Sequence, residues 1–178
     1  SESLMKTPLS CVTLTVAIVT FLTFASAQND ALWQAGVGTA KITPTEPIWM
    51  AGYASRTAPA DGKTTDLWAK ALILQDAEGN RGLAITLDLV GINRAVSQEI
   101  CERLKTKFGF ERHQIAIFTS HTHSGPVVRR NLGPLHFMVL NEEQQQAILR
   151  YGEYLLEQID AVVKSATDDL APAKLQWG

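Results

Sequence analysis

The sequence predicts an α/β fold with a mixed sheet, a βαβ unit and flanking helices, in a domain that we expect to be incomplete. Apolar runs at 66–75 and 83–90 flank Asp76–Asn80, whose turn chemistry is typical of a hairpin. The second run is followed by an amphipathic stretch, 93–108, and by another short apolar run, 115–119. Because strand–helix–strand crossovers are right-handed, the last two strands should be parallel neighbours or near neighbours.

The N-terminal residues 1–27 are interpreted as a few upstream residues and a secretory signal peptide. Met5 and Lys6 precede an apolar run from Leu9 to Phe24, and small residues then favour cleavage before Gln28. We therefore expect a secreted or periplasmic protein. Subtracting 27 from 178 residues leaves 151, enough for one domain but not for two ordinary ones.

The net charge gives no sign of nucleic-acid binding, and the cysteine content excludes an intrachain disulfide. The formal net charge is −2 and no basic stripe is present, so the sequence gives no footprint for nucleic acid. Cys11 lies inside the predicted signal peptide, which leaves Cys101 alone and excludes an intrachain disulfide in the mature chain. Cys101 falls in a predicted helix and is expected to be a small buried apolar residue.

The mature chain opens with a strand from Trp33 that is ended by Pro44. Gly36 and Gly38 interrupt it, and glycines at this spacing predict a bulge or a close approach of the backbone to another group. Residues 50–65 are rich in small residues and predict a long loop, of the kind that is more often functional than idle.

A carboxylate, Asp88, lies near the end of the predicted strand 83–90, where burial is costly unless the group is paired. Two interpretations are equally open: Asp88 supports a histidine or a metal, or it satisfies the amides of the neighbouring loop. The next element is a helix over 93–108, because apolar residues recur along one face and Gly109 is a natural C-terminal stop.

The region 127–139 is expected to be irregular. Arg129 and Arg130 have two interpretations, contact with an anionic group or solvation, and solvation is favoured because paired arginines in a loop are usually solvated. His136 is not expected to be a ligand because no partner spacing supports it. A second helix is predicted to start at Asn141 in capping-box fashion, with core-facing apolar residues on one side. The residues from Ala171 onward predict the start of one more strand, and this is why the domain is expected to be incomplete.

Two histidines follow the predicted strand 115–119 and are the main candidates for chemistry. In extended backbone, residues i and i+2 point to the same side, so His121 and His123 should project together beyond the carboxyl edge of the sheet. Imidazole pairs suit a zinc site or general acid–base catalysis. Alternatively, one or both are hydrogen-bonded loop residues. Gly125 and Pro126 favour a site, since glycine lets backbone approach a ligand.

The chain resembles the N-terminal part of the neutral/alkaline non-lysosomal ceramidases over about residues 34–130. The most specific element of this resemblance is His121-Thr122-His123-Ser124-Gly125-Pro126. The other matching pieces are Gly36-Val37-Gly38, Ile42-Thr43-Pro44, Met50-Ala51-Gly52-Tyr53-Ala54, Leu67-Trp68-Ala69-Lys70-Ala71-Leu72 and Leu87-Asp88.

The resemblance implies a zinc amidase that hydrolyses the N-acyl bond of ceramide to sphingosine and a fatty acid. According to this resemblance, His121 matches the first zinc ligand, and His123 matches a catalytic histidine that faces the substrate. Gly36 is assigned to substrate binding on the same ground. The family's other zinc ligands, a His, a Glu and a Tyr, are expected beyond Gly178, in the remaining C-terminal part of the same enzyme. The chain alone is therefore expected to be inactive.

Two departures from the family pattern leave the substrate open between ceramide and a related amide or ester. Thr65-Asp66 replaces a histidine-arginine pair, and Val127-Val128 stands where the family has glycines. The expected partner is a lipid-like amide, and peripheral contact with a membrane is left open. No nucleic-acid partner is expected.

Three other classes of hydrolase match the histidine motif less well. The metallo-β-lactamase pattern needs an Asp where Gly125 stands, and amidohydrolase barrels place the pair after their first strand. Ser124 lacks the Gly-x-Ser-x-Gly context of a serine hydrolase's nucleophile elbow. The alternative that stays open is a non-catalytic exported fragment or binding module with no complete metal site.

Overall fold

The computed structural model describes residues 33–176, and the predicted signal peptide lies outside this range. These residues form five strands and two long helices, with short 3-10 turns at Arg112–Gln114 and Phe137–Val139. In chain order the elements are β1 Trp33–Lys41, β2 Trp68–Gln75, β3 Arg81–Leu87, α1 Arg94–Phe108, β4 Ile115–Thr119, α2 Glu142–Asp168 and β5 Ala171–Ala173.

All five strands belong to one sheet with the order β4-β3-β2-β1-β5. The β3–β4 pair is parallel and the other three pairs are antiparallel. This mixed sheet with its βαβ unit and flanking helices confirms the predicted fold class. The predicted hairpin is β2–β3, and its turn contains Gly79 at a φ of 85°, in the left-handed region that glycine adopts readily.

The strands bury one face beneath the helices, as their period-2 pattern requires. In β2, Ala69, Ala71 and Ile73 are buried while Leu72 points to solvent. The long helix α2 crosses β1 and β2, and its backbone lies very close to β1. A Cβ atom on Gly36 would lie 2.0 Å from the carbonyl oxygen of Ala166. Two alternatives were predicted for Gly36 and Gly38, a bulge or a close approach of the backbone to another group. The structure confirms the close approach.

α1 has the predicted extent, and α2 begins where its sequence predicts. The Asn93 side chain accepts a hydrogen bond from the Val96 amide, and Gly109 ends α1 at a φ of 71°. Asn141 and Gln144 form the predicted capping box of α2. Cys101 is buried in α1 as expected, and burial raises the pKa of its thiol.

Arg129 differs from its sequence-based prediction. Its guanidinium pairs with Glu99 of α1 at 2.8 Å and with Glu153 of α2 at 2.8 Å, so it joins the two helices instead of being solvated. Gly152 leaves room for it, because a Cβ atom there would lie 2.5 Å from the arginine's Cγ. The favoured interpretation was wrong since the two carboxylates come from distant elements of the chain.

The βαβ unit places two loops side by side at one edge of the sheet. Leu87 and Thr119 are partners in the parallel register, so the segments that follow β3 and β4 leave the sheet together. Asp88 begins the first segment, and its Oδ2 accepts a hydrogen bond from the Trp68 amide at 3.0 Å. The structure thus favours the interpretation in which Asp88 satisfies a neighbouring amide.

Within residues 33–176, no helix is both long enough and apolar enough to cross a membrane.

Candidate active site

His121 and His123 converge just beyond the carboxyl end of β4. Their Nε2 atoms are 3.4 Å apart, and their ring centroids are 5.1 Å apart with the planes inclined by 66°. The structure therefore brings together the two histidines that the sequence singled out. Two imidazole nitrogens aimed at one point can share a proton or bind one cation.

The physical reason for this convergence differs from the predicted one. His121 has a φ of 56°, in the left-handed region, so the extended backbone of β4 has already ended. The rings meet because the chain turns at His121, whereas the prediction relied on the alternation of an extended strand. A non-glycine residue in this region is uncommon, and such conformations concentrate at functional sites.

A backbone carbonyl orients the His121 ring. Its Nδ1 lies 2.8 Å from the carbonyl oxygen of Val90, in the loop after β3. A carbonyl oxygen only accepts, so Nδ1 carries the proton and Nε2 presents its lone pair towards His123. A carbonyl that fixes the tautomer in this way is the usual support of a metal-binding imidazole.

The loop before β2 encloses the ring of His123. Gly52 has a φ of 100°, and a Cβ atom there would lie 2.6 Å from the His123 Cβ. The Tyr53 ring meets the imidazole edge-on, with centroids 4.9 Å apart. Arg56 donates a hydrogen bond of 2.7 Å to the His123 carbonyl oxygen. The long loop that the sequence marked as functional thus lies directly against the histidine motif.

Backbone hydrogen bonds fasten this loop to the motif. The Ala51 amide donates to the Gly125 carbonyl at 2.9 Å, and the Val127 amide donates to the Trp49 carbonyl at 2.9 Å. The sequence did not identify Tyr53 and Arg56 as neighbours of His123. The only sequence signal for these neighbours was the composition of the loop, because a contact between residues 67 positions apart leaves no local sequence pattern.

His136 is buried, with a relative accessibility of 1%. Burial lowers the pKa of its imidazole, and the positive charge of Arg56 lowers it further. Among residues 33–176 its Nε2 atom has no hydrogen-bond partner. The expectation that His136 is not a ligand stays a prediction.

Gly36 contacts α2, and its predicted role in substrate binding stays a prediction. A glycine is required there because the carbonyl of Ala166 occupies the position of a side chain.

A cavity of about 550 Å³ opens beside the histidine motif. Thr122 and Ser124 of the motif line it, together with the loops at 43–50 and 60–67. Its wall combines hydroxyl groups with apolar side chains such as Ile48, Met50 and Leu67. A cavity of this kind suits a ligand that has both polar and apolar parts.

The described residues do not contain a complete set of metal ligands. Within residues 33–176 no group of three or more His, Cys, Asp or Glu side chains is placed to hold a metal ion. The Nε2 atom of His121 is nevertheless a suitable donor for zinc, because the Val90 carbonyl orients its ring and neutral imidazole is a usual zinc ligand. His121, with its oriented ring, is the better-prepared ligand of the two.

Comparison with known families gives a match over most of the chain. The family model described as neutral/alkaline non-lysosomal ceramidase, N-terminal, matches residues 33–178. The neutral ceramidase of Pseudomonas aeruginosa is 30% identical over 96% of this chain and 24% of its own length. Neutral ceramidase 2 of Arabidopsis thaliana is 36% identical over 51% of this chain and 12% of its own length.

Solved structures give the same result. A crystal structure of neutral ceramidase from Pseudomonas aeruginosa superposes with a TM-score of 0.67 at 28% identity, covering 80% of this chain and 22% of that chain. A structure described as ceramidase complexed with C2 gives a TM-score of 0.63 at 27% identity, with the same coverage of 80% and 22%. The chain spans about a quarter or less of the length of the relatives it matches.

Proposed function

The chain belongs to the neutral/alkaline non-lysosomal ceramidase family, and from this premise we propose that it forms the N-terminal portion of the catalytic domain of an exported, zinc-dependent hydrolase. The substrate is an N-acyl amide, either ceramide, which yields sphingosine and a fatty acid, or a related amide or ester. The observation that carries the proposal is the convergence of the His121 and His123 Nε2 atoms to 3.4 Å beside a cavity of mixed polarity. Export is supported only by the predicted signal peptide.

His121 is the residue that would hold the zinc ion. Its Nδ1 is engaged by the Val90 carbonyl at 2.8 Å, so Nε2 is left as the donor atom. The family's other ligands are proposed to come from the remaining part of the enzyme. A zinc ion held there would supply Lewis acidity for the carbonyl of the scissile bond.

His123 is the residue proposed to move the proton. Hydrolysis breaks the C–N bond of the amide, adds the oxygen of water to the acyl carbon and requires a proton on the departing nitrogen. An imidazole can orient the amide and carry this proton near neutral pH. The Tyr53 edge and the Arg56 hydrogen bond hold His123 beside His121.

The choice between ceramide and a related substrate depends on the region around Asp66. This carboxylate stands in a segment where the family pattern has a histidine-arginine pair. Here Asp66 forms ion pairs with Lys41 and Lys63, which lower the pKa of the carboxyl well below its usual range. A carboxylate beside the cavity, in place of the family's basic pair, is the reason for keeping a related amide or ester as the second candidate substrate.

Zinc binding is tested by titrating Zn²⁺ into the metal-free natural protein, which includes the remaining part of the enzyme, by calorimetry with elemental analysis. We expect His121→Ala to weaken zinc binding by more than roughly tenfold, because an oriented ligand is lost. His113→Ala removes an exposed histidine outside the site and should bind zinc like the wild type. Equal affinity in all three proteins would contradict the assignment of His121.

Hydrolysis is tested on the natural protein purified from its source, by mass spectrometry of fatty acid released from ceramide and from a matched ester. Release that a chelator abolishes is the expected result. No release from either substrate would favour the alternative, a non-catalytic exported fragment or binding module.

A further inference from the structure

Arg56 links two parts of the candidate site that are far apart in the sequence. It donates a 2.7 Å hydrogen bond to the carbonyl oxygen of His123 across 67 residues. Its guanidinium carbon also lies 5.4 Å from the centroid of the Tyr53 ring, within the range of a cation–π contact. The same tyrosine packs edge-on against the His123 imidazole. One side chain thus contacts both the backbone of His123 and the ring that supports its imidazole.

The hydrogen bond acts at the point where the motif turns. His121 is in the left-handed region, so the direction of the following peptides is not fixed by strand pairing. A charged donor on the His123 carbonyl fixes that peptide, and charge-assisted hydrogen bonds are about twice as strong as neutral ones. The orientation of the peptide in turn decides where the Cα–Cβ bond of His123 points.

A purely structural role for Arg56 in its own loop accounts for the contacts less well. Among the described residues, its side-chain hydrogen bond leaves its own loop and goes to the His123 carbonyl, 67 residues away. The guanidinium thus contacts both the His123 carbonyl and the Tyr53 ring.

We propose that Arg56 is a positioning residue for His123. It holds the imidazole in its orientation towards His121 by fixing the His123 carbonyl and the Tyr53 ring. The contribution to catalysis rests on the proposed function, whereas the positioning of the ring does not depend on it.

Nuclear Overhauser effects between the ring protons of Tyr53 and His123 test the positioning in the full chain. Arg56→Ala should weaken this cross-peak at least twofold, and Arg56→Lys, which keeps a charged donor, should restore most of it. Arg94→Ala is the matched control, because Arg94 is an exposed arginine at the start of α1. It should leave the cross-peak unchanged.

A cross-peak of wild-type strength in Arg56→Ala would overturn the proposal. Circular dichroism shows whether each variant folds. If Arg56→Ala does not, Arg56→Gln replaces it and is judged by the same two outcomes.

Kinetics on the natural protein separate this inference from the proposed function. Arg56→Ala should lower kcat about tenfold and leave KM nearly unchanged, since a misplaced proton carrier affects the transition state more than binding. Arg56→Lys should recover part of that loss. Unchanged kcat together with a lost cross-peak would overturn the link between position and catalysis. A wild-type protein that cleaves neither the amide nor the ester while keeping the cross-peak would instead overturn the proposed function.

Discussion

The helix-covered sheet and the loops that carry the histidines are held together by different forces. Apolar packing holds the sheet: Ile73, Ile85, Leu155 and Ile159 are all 0–1% exposed between the strands and the helices. The loops instead depend on a few hydrogen bonds, such as those from Arg56 to His123 and from His121 to Val90. The sheet is stabilised by many small contacts, whereas the conformation of the loops depends on a few individual hydrogen bonds.

Substitutions in the two regions should therefore have different effects. A change between sheet and helix should reduce the free energy of unfolding of the whole domain, because the lost contacts are shared by many residues. A change in the loops should move a histidine while the sheet stays folded. Three substitutions test this division, and each has a control elsewhere in the chain.

The largest effect is expected from Gly36→Val. A Cβ atom at this position would lie 2.0 Å from the Ala166 carbonyl oxygen, so α2 would have to move off β1. We expect the free energy of unfolding to fall by about 3 kcal/mol or more, measured by urea denaturation. Gly82→Ala is the control, since that position has open space within 4 Å. Equal stability of the two variants would contradict the tight contact between α2 and β1.

Gly52→Ala should have an intermediate effect on stability and a local effect on the site. The new Cβ would lie 2.6 Å from that of His123 at a φ of 100°, so the loop must withdraw from the imidazole. We expect a loss of about 1–3 kcal/mol and altered NMR shifts of the His123 ring. Gly79→Ala has comparable strain, at a φ of 85°, but open space around it. It should leave those ring shifts unchanged; identical shifts in both variants would contradict the packing of the loop on His123.

His136 should produce the smallest effect, a dependence of stability on pH. Burial and the charge of Arg56 hold its pKa below the ordinary value of 6.5. Below that pH the unfolded chain takes up a proton that the folded imidazole resists, so the free energy of unfolding falls as the pH falls. The slope is at most about 1.4 kcal/mol per pH unit, and above pH 7 this contribution should be constant.

The comparison of His136→Gln with His113→Gln isolates this effect, because His121 and His123 are present in both variants. We expect His136→Gln to flatten the slope of stability below pH 6.5. His113→Gln, which changes an exposed residue, should keep the wild-type slope. A wild-type slope in both variants would exclude His136 as its source.

The amino-acid sequence alone determined the elements of this fold and the identity of its histidine motif. Apolar runs, helical periodicity, the stop at Gly109, the capping box at Asn141 and the turn at Asp76–Asn80 are local signals, each contained within about one element. They were sufficient for the βαβ unit and therefore for the edge of the sheet from which the histidines project. The motif was recognisable because its residues are contiguous.

The way in which those histidines are held depends on contacts between distant parts of the chain. The tertiary structure placed β5 beside β1, paired Arg129 with two helices and gave His121 its left-handed backbone. It also brought Arg56 and Tyr53 to His123. These contacts join residues that are distant in sequence, and their free energy depends on how whole elements pack. No periodicity or short motif predicts such a contact, because the sequence around each of the two residues is compatible with many other tertiary arrangements.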